Sequence, residues 1–202
     1  MTASLTAYEM QLVRDPQVLI TKNIIIEKVY EIFGKLAEEY KEDLTNKLPG
    51  IEYLINPKIS RGENYRGLPY VILDFPRHFS KTDVFAIRSF FWWGNFFSIT
   101  LQLSGQYHQQ YASAIQHAIN NKFFAEWYIG NAQNPWEHHF ESNNYSSFSA
   151  GIEYNVADLS FLKLAKKIPL AKWDETYSFF IENFQSLTEI LRSKPRSGET
   201  DL

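Results

Sequence analysis

Cysteine is absent from the 202 residues, which removes disulfides, thiolate metal sites and cysteine nucleophiles together. There is no basic excess either: 20 Lys and Arg stand against 23 Asp and Glu, a formal charge of −3. Clustered cations that neutralise phosphates dominate nucleic-acid affinity, so nucleic acid is not an expected partner. No apolar run reaches the roughly 18–20 residues that a spanning helix needs. The most apolar stretch is interrupted by Arg88, Ser89, Gly94 and Asn95. Met1 to Arg14 lack the basic start and apolar run of a secretory signal. A cytoplasmic location and no membrane partner are therefore the expectations. Phosphate loop, nucleophile elbow, kinase signature, zinc-binding helix and dinucleotide fingerprint are all missing. The segment Arg61–Gly67 holds two glycines, but without phosphate-loop spacing or its downstream lysine. The sequence thus names no cofactor.

Aromatics, by contrast, are abundant, with 16 Phe, 12 Tyr and 5 Trp. Such residues bury large areas and favour strands, which points to a sheet-centred fold. Their densest run, Asp83 to Gly105, places two aromatic and β-branched segments around Gly94-Asn95, the signature of a tight hairpin. With those two residues as the loop, Trp93 faces Phe96 and Arg88 faces Leu101. Alternation then gathers Val84, Ala86, Arg88, Phe90, Trp92, Phe97, Ile99, Leu101 and Leu103 on one face, apolar except for the arginine.

Elsewhere, Thr6 and Glu9 have capping-box spacing for a short helix that ends before Asp15-Pro16. A long helix is expected over about Ile20 to Leu44, with an apolar stripe of Ile26, Val29, Phe33, Leu36 and Tyr40. Strands are expected at Lys58–Arg61, Tyr70–Phe75, Phe123–Ile129 and Ser147–Val156, and helices at Gln106–Asn120 and Leu159–Lys167. The last helix, about Asp174 to Arg192, carries Trp173, Tyr177, Phe180, Phe184, Leu187 and Leu191 at steps of three and four. The fold class is α+β: a single mainly antiparallel sheet of about five or six strands with helices packed on one face and long N- and C-terminal helices. One domain covers residues 1–192, and residues 193–202 read as a disordered tail.

Three constellations can carry chemistry. Asp74 and His78 sit at a strand end, where a carboxylate can orient an acid–base histidine; the same residues also suit a turn around Pro76. Glu137, His139 and Glu141 share a face at period two, a hard or borderline donor set for a divalent metal. Trp136, His138 and Phe140 would then face the core; the plainer reading of the same pattern is an amphipathic edge strand or loop with a polar outer face. His108 and His117 lie on opposite sides of one helix, so they cannot both add ligands. Arg88, alone on its face, needs a carboxylate such as Asp74 or Glu153, or a bound anion. In the latter case Arg88 anchors a small anionic or aromatic ligand, with Phe90, Trp92 and Arg77 completing the pocket. On the other hairpin face, Phe91, Trp93 and Phe96 form an aromatic patch suited to a homodimer interface.

The expected function is binding of such a ligand, or of a protein partner, through the aromatic sheet. The competing expectation is an enzyme, metal-assisted through Glu137, His139 and Glu141 or acid–base through Asp74 and His78.

Overall fold

Seven strands form one antiparallel sheet in the order β1-β2-β3-β4-β7-β5-β6. The computed structural model describes residues 3–48, 56–148 and 154–193. In chain order the elements are α1 (Ala7–Arg14), α2 (Pro16–Lys47), β1 (Lys58–Tyr65), β2 (Leu68–Phe79), β3 (Val84–Trp92), β4 (Phe96–Ser104), α3 (Gly105–Asn120), β5 (Tyr128–Gly130), β6 (Tyr145–Ser147), β7 (Phe161–Pro169) and α4 (Thr176–Arg192). The sheet therefore has more strands than the five or six expected. Part of the expected strand Ser147–Val156, with Glu153, and the tail from residue 194 onward lie outside the described residues.

β1 to β4 form a meander of sequential neighbours. Its first turn is Arg66-Gly67, where both residues take positive φ (51° and 85°), the backbone twist that suits a two-residue hairpin loop. The β3–β4 turn differs from the sequence expectation. Trp92 pairs with Phe96, so the loop holds three residues, Trp93, Gly94 and Asn95. Two bonds fix it: the Asn95 N–H donates to the Trp92 carbonyl at 3.1 Å, and the Trp93 N–H reaches back to Pro69 O at 3.0 Å. One added loop residue shifts the register by one and exchanges the faces of β3 relative to β4. Phe85, Ile87, Ser89 and Phe91 now lie with Phe97, Ile99, Leu101 and Leu103, while Arg88, Phe90 and Trp92 lie with Phe96, Ser98, Thr100 and Gln102.

The first of these faces carries the main core. Residues of α2, α3 and α4 join alternate residues of β2, β3, β4 and β7 in one buried cluster. Tyr40 of α2 stacks on Phe184 of α4 at 3.5 Å between ring centroids. Phe180 of α4 meets Phe33 edge-on at 5.7 Å and Phe97 of the sheet at 6.1 Å. Tyr107 of α3 lies 5.4 Å from Phe85. The stripe read for α2, Ile26, Val29, Phe33, Leu36 and Tyr40, is buried; of the one read for α4, Phe180, Phe184, Leu187 and Leu191 are buried, Tyr177 is half-buried, and Trp173 precedes the helix. Burial also raises the Tyr40 hydroxyl pKa far above its ordinary value.

Phe161–Pro169, expected as part of a helix, is instead the strand β7, paired along its length with β4. Leu162, Leu164 and Ile168 enter the main core at period two. Lys163, Ala165 and Lys167 face the other side, opposite Gln102, Thr100 and Ser98. Pairing between strands has overridden the helix preference of leucine, lysine and alanine. Of Phe123–Ile129 only the end is strand, as β5.

The N-terminal part stands apart. Thr6 caps α1 in a full capping box with Glu9, and Asp15, in extended conformation, ends α1 and caps α2 through the Gln17 N–H. No residue of α1 is buried, and the first buried residue of α2 is Ile26. Among the described residues, no helix is long and apolar enough to cross a membrane.

Candidate functional site

The second sheet face is roofed by Asn131–Asn144, which joins β5 to β6 without secondary structure of its own beyond turns. Connections of this length in a compact domain usually have a task. Glycine at 130 lets the chain start this crossing, since a Cβ there would lie 3.0 Å from Lys163 Cβ. Successive side chains of the strap descend onto different strands. Trp136 meets Phe79, His138 sits 4.9 Å from Phe90, and Phe140 packs edge-on against Phe96 at 5.1 Å. Ile72, Phe90, Trp92 and Phe96 form a small second core beneath it.

Arg88 lies at the centre. Its Nε donates to Asp74 Oδ1 at 2.7 Å and its Nη2 to Oδ2 at 3.0 Å, a bidentate pair between neighbouring strands. Nη1 lies 3.1 Å from His138 Nε2, and the guanidinium carbon is 5.8 Å from the Trp136 ring. Burial, reinforced by the Arg88 charge, pushes the His138 pKa well below its ordinary value. The neutral ring then accepts from Arg88 through Nε2, which assigns its proton to Nδ1.

Tyr65 holds the strap from β1. Its hydroxyl accepts the His138 and His139 N–H groups at 2.7 and 3.0 Å and donates to Glu137 Oε2 at 3.1 Å. Lys163 holds it from β7, donating to the Glu137 carbonyl and, at 3.4 Å, to Asn144 Oδ1. The ammonium lies 4.6 Å from the Tyr145 ring centroid. Only 2% of Lys163 is exposed. Burial, with Arg88 nearby, lowers its pKa to about 7. Burial raises the Tyr145 hydroxyl well above its usual range. Arg66 closes the outer edge with a two-pronged bond to Glu141 at 2.5 and 3.2 Å, which lowers the Glu141 pKa.

The residues singled out in the sequence distribute over this frame as follows. Arg88, Phe90, Trp92 and Arg77 do share the second face, but the Arg88 fork is filled by Asp74 and its remaining edge by His138. Asp74 and His78 are not brought together. A bulge between Asp74 and Arg77 leaves Asp74 opposite Arg88, whereas His78 lies opposite Phe85 on the helix side, 5.4 Å from Tyr107. Glu137 and Glu141 approach different nitrogens of His139, Nε2 at 3.6 Å and Nδ1 at 3.7 Å. The two carboxylates therefore flank the ring instead of converging with one nitrogen on a single point. Among the described residues, no three His, Asp or Glu side chains are grouped to hold a metal. Trp136–Glu141 is loop, not strand. Burial lowers the His139 pKa despite the two nearby carboxylates.

The patch Phe91, Trp93 and Phe96 is divided by the register shift. Phe91 packs against Trp93 and Trp173 in the main core, and Phe96 lies under Phe140 on the opposite side. Phe91 and Phe96 are both buried and Trp93 is half-buried. His108 donates from Nε2 to the Val156 carbonyl oxygen at 2.8 Å, and His117 Nε2 lies 3.0 Å from Asn121 Nδ2.

No family model, curated protein or solved structure matches this chain.

Sequence reasoning missed Tyr65, Asn144 and Lys163, the three anchors of the strap. It also missed the N-terminal arm, residues 5–24. There Leu5, Tyr8, Met10, Leu12 and Val13 are exposed, and beyond Pro16 so are Val18, Leu19, Ile20 and Ile24, at 38–69% each. The signal was legible: Val18, Leu19 and Ile20 are consecutive, so the first turns of α2 spread apolar side chains around the helix, between Gln17, Thr21, Lys22 and Asn23, and do not gather them on one stripe.

Proposed function

We propose that the chain is a non-catalytic interaction domain that docks a protein surface through the arm formed by α1 and the first turns of α2. One observation carries this reading: nine large apolar side chains are exposed from Leu5 to Ile24, eight of them on helices that contribute nothing buried before Ile26. Contiguous apolar surface of this kind marks association sites in folded proteins. The polar groups under the strap support the same reading by being engaged within the chain: Arg88 with Asp74 and His138, and Lys163 with the Glu137 backbone carbonyl and Asn144 Oδ1. A ligand carboxylate at Arg88 would have to displace Asp74 from a bidentate pair. Binding is therefore assigned to the arm and not to the aromatic sheet. A lipid surface is disfavoured, because Arg14 and Lys22 are the arm's cations and Lys22 is paired with Glu63 across to the sheet.

The test is a photo-crosslinking amino acid placed at Leu19, with Lys81 in the β2–β3 turn as control. Docking predicts a discrete protein adduct through position 19 in the expressing cell and none through position 81. Absence of any adduct at 19 refutes the reading.

A further inference from the structure

We infer that the arm's partner is a second copy of this chain, the two arms packing about a two-fold axis into a four-helix contact. This rests on the docking reading above and goes further by naming the occupant.

Three features point to a second copy. The first is the distribution of apolar residues. Val18, Leu19 and Ile20 follow one another in α2, and α1 adds Tyr8, Leu12 and Val13, all exposed. A single shallow groove covers one side of a helix. Side chains spread this widely around α1 and the first turns of α2 are covered best by neighbours on more than one side, which a small helical bundle provides. The surface that matches an apolar helical elbow is another apolar helical elbow, and a two-fold axis brings two together without any other component.

The second is area. Nine large apolar side chains at 38–69% exposure, on the order of 100 Å² each, offer about what each partner of a standard-size interface buries, ~800 Å². The third is charge. The arm carries Glu9 and Asp15 against Arg14 and Lys22, the last paired with Glu63 of β1, so no excess of one sign opposes the meeting of two copies. By contrast, α2 beyond Ile26 displays exposed Glu27, Lys28, Glu31 and Glu38. Apolar exposure stops where the helix reaches its own core, so two arms can meet without their sheets competing for the same space.

The experiment uses the full chain. Sedimentation equilibrium across micromolar concentrations is expected to give twice the 23.7 kDa chain mass. The double variant Leu12→Asp/Leu19→Asp places charges in the contact and should raise the dimer dissociation constant on the order of 100-fold or more. At concentrations where both chains are monomers its thermal midpoint should equal that of the wild type, since neither residue is buried. The chain has no cysteine, so Leu19→Cys and Lys81→Cys each introduce a single thiol. A flexible bis-maleimide should join two copies through position 19 and not through position 81.

A dimer that survives Leu12→Asp/Leu19→Asp, or that links through 81 and not 19, overturns the inference by moving the interface elsewhere. A monomer at every concentration also overturns it. In that event the photo-crosslink at Leu19 separates the two levels: an adduct to a different protein leaves docking standing without self-association, and no adduct removes both.

Discussion

At the scale of single residues, Arg88 and Lys163 decide how the second sheet face behaves, and they do so in different ways. Removing Arg88 leaves the Asp74 carboxylate, itself buried, without its bidentate partner. Arg88→Ala is expected to cost about 3–5 kcal/mol in urea unfolding, whereas Arg88→Ala paired with Asp74→Ala should cost less than the single change. Lys163 gives a pH signature. With a folded pKa of about 7, against about 10.4 in an unfolded chain, the folded amine is neutral over a window where the unfolded one is charged. Unfolding there takes up a proton, so stability rises as pH increases from about 7 towards 10. The urea midpoint should be higher at pH 9 than at pH 7, and Lys163→Met should flatten that rise. His138 acts in the same sense further down: its depressed pKa makes unfolding take up a proton below about pH 6.5. Arg88 was legible in the sequence because a lone cation among strand aromatics demands a partner, and Asp74 was one of the two carboxylates named for it. Lys163 was not legible. Nothing in Phe161-Leu-Lys-Leu-Ala-Lys-Lys167 shows which lysine a distant loop will roof over.

Among the elements, the strap Asn131–Asn144 depends on one hydroxyl from β1. Tyr65→Phe removes the acceptor of the His138 and His139 N–H groups, and groups left unpaired in a part-buried site cost about 1–3 kcal/mol. Hydrogen exchange should accelerate at 138 and 139 while α2 and α4 keep their protection; uniform acceleration would mean that the strap and main core open together. The long helices were readable because their stripes obey one period over many turns, as Ile26 to Tyr40 and Tyr177 to Leu191 do. The hairpin at Gly94 was readable in kind but not in register, since Gly-Asn fits both a two-residue loop and the three-residue loop adopted. That single residue decides which aromatic faces which layer, and with it the expected pocket and interface. β7 was hidden for another reason: its residues favour helix locally, and only pairing with β4, across a long stretch of chain, makes it a strand.

For the whole molecule, stability and association separate along the chain. Leu12→Asp/Leu19→Asp should leave the monomer's unfolding midpoint where it was, because the first buried residue of α2 is Ile26; a large drop in the monomer would show that the arm unfolds together with the core. The order of the sheet has a consequence for synthesis as well. β4 ends at Ser104 and its outer neighbour β7 begins at Phe161. A ribosome adding ~5–20 residues per second takes several seconds to cross the intervening stretch of about 55 residues. Throughout that interval a finished four-stranded meander presents β4 as an unpaired edge, aromatic at its first residues. Nascent chains of this protein are therefore exposed to strand-edge misassembly within one window of translation, and a pause or stall before codon 161 would prolong it.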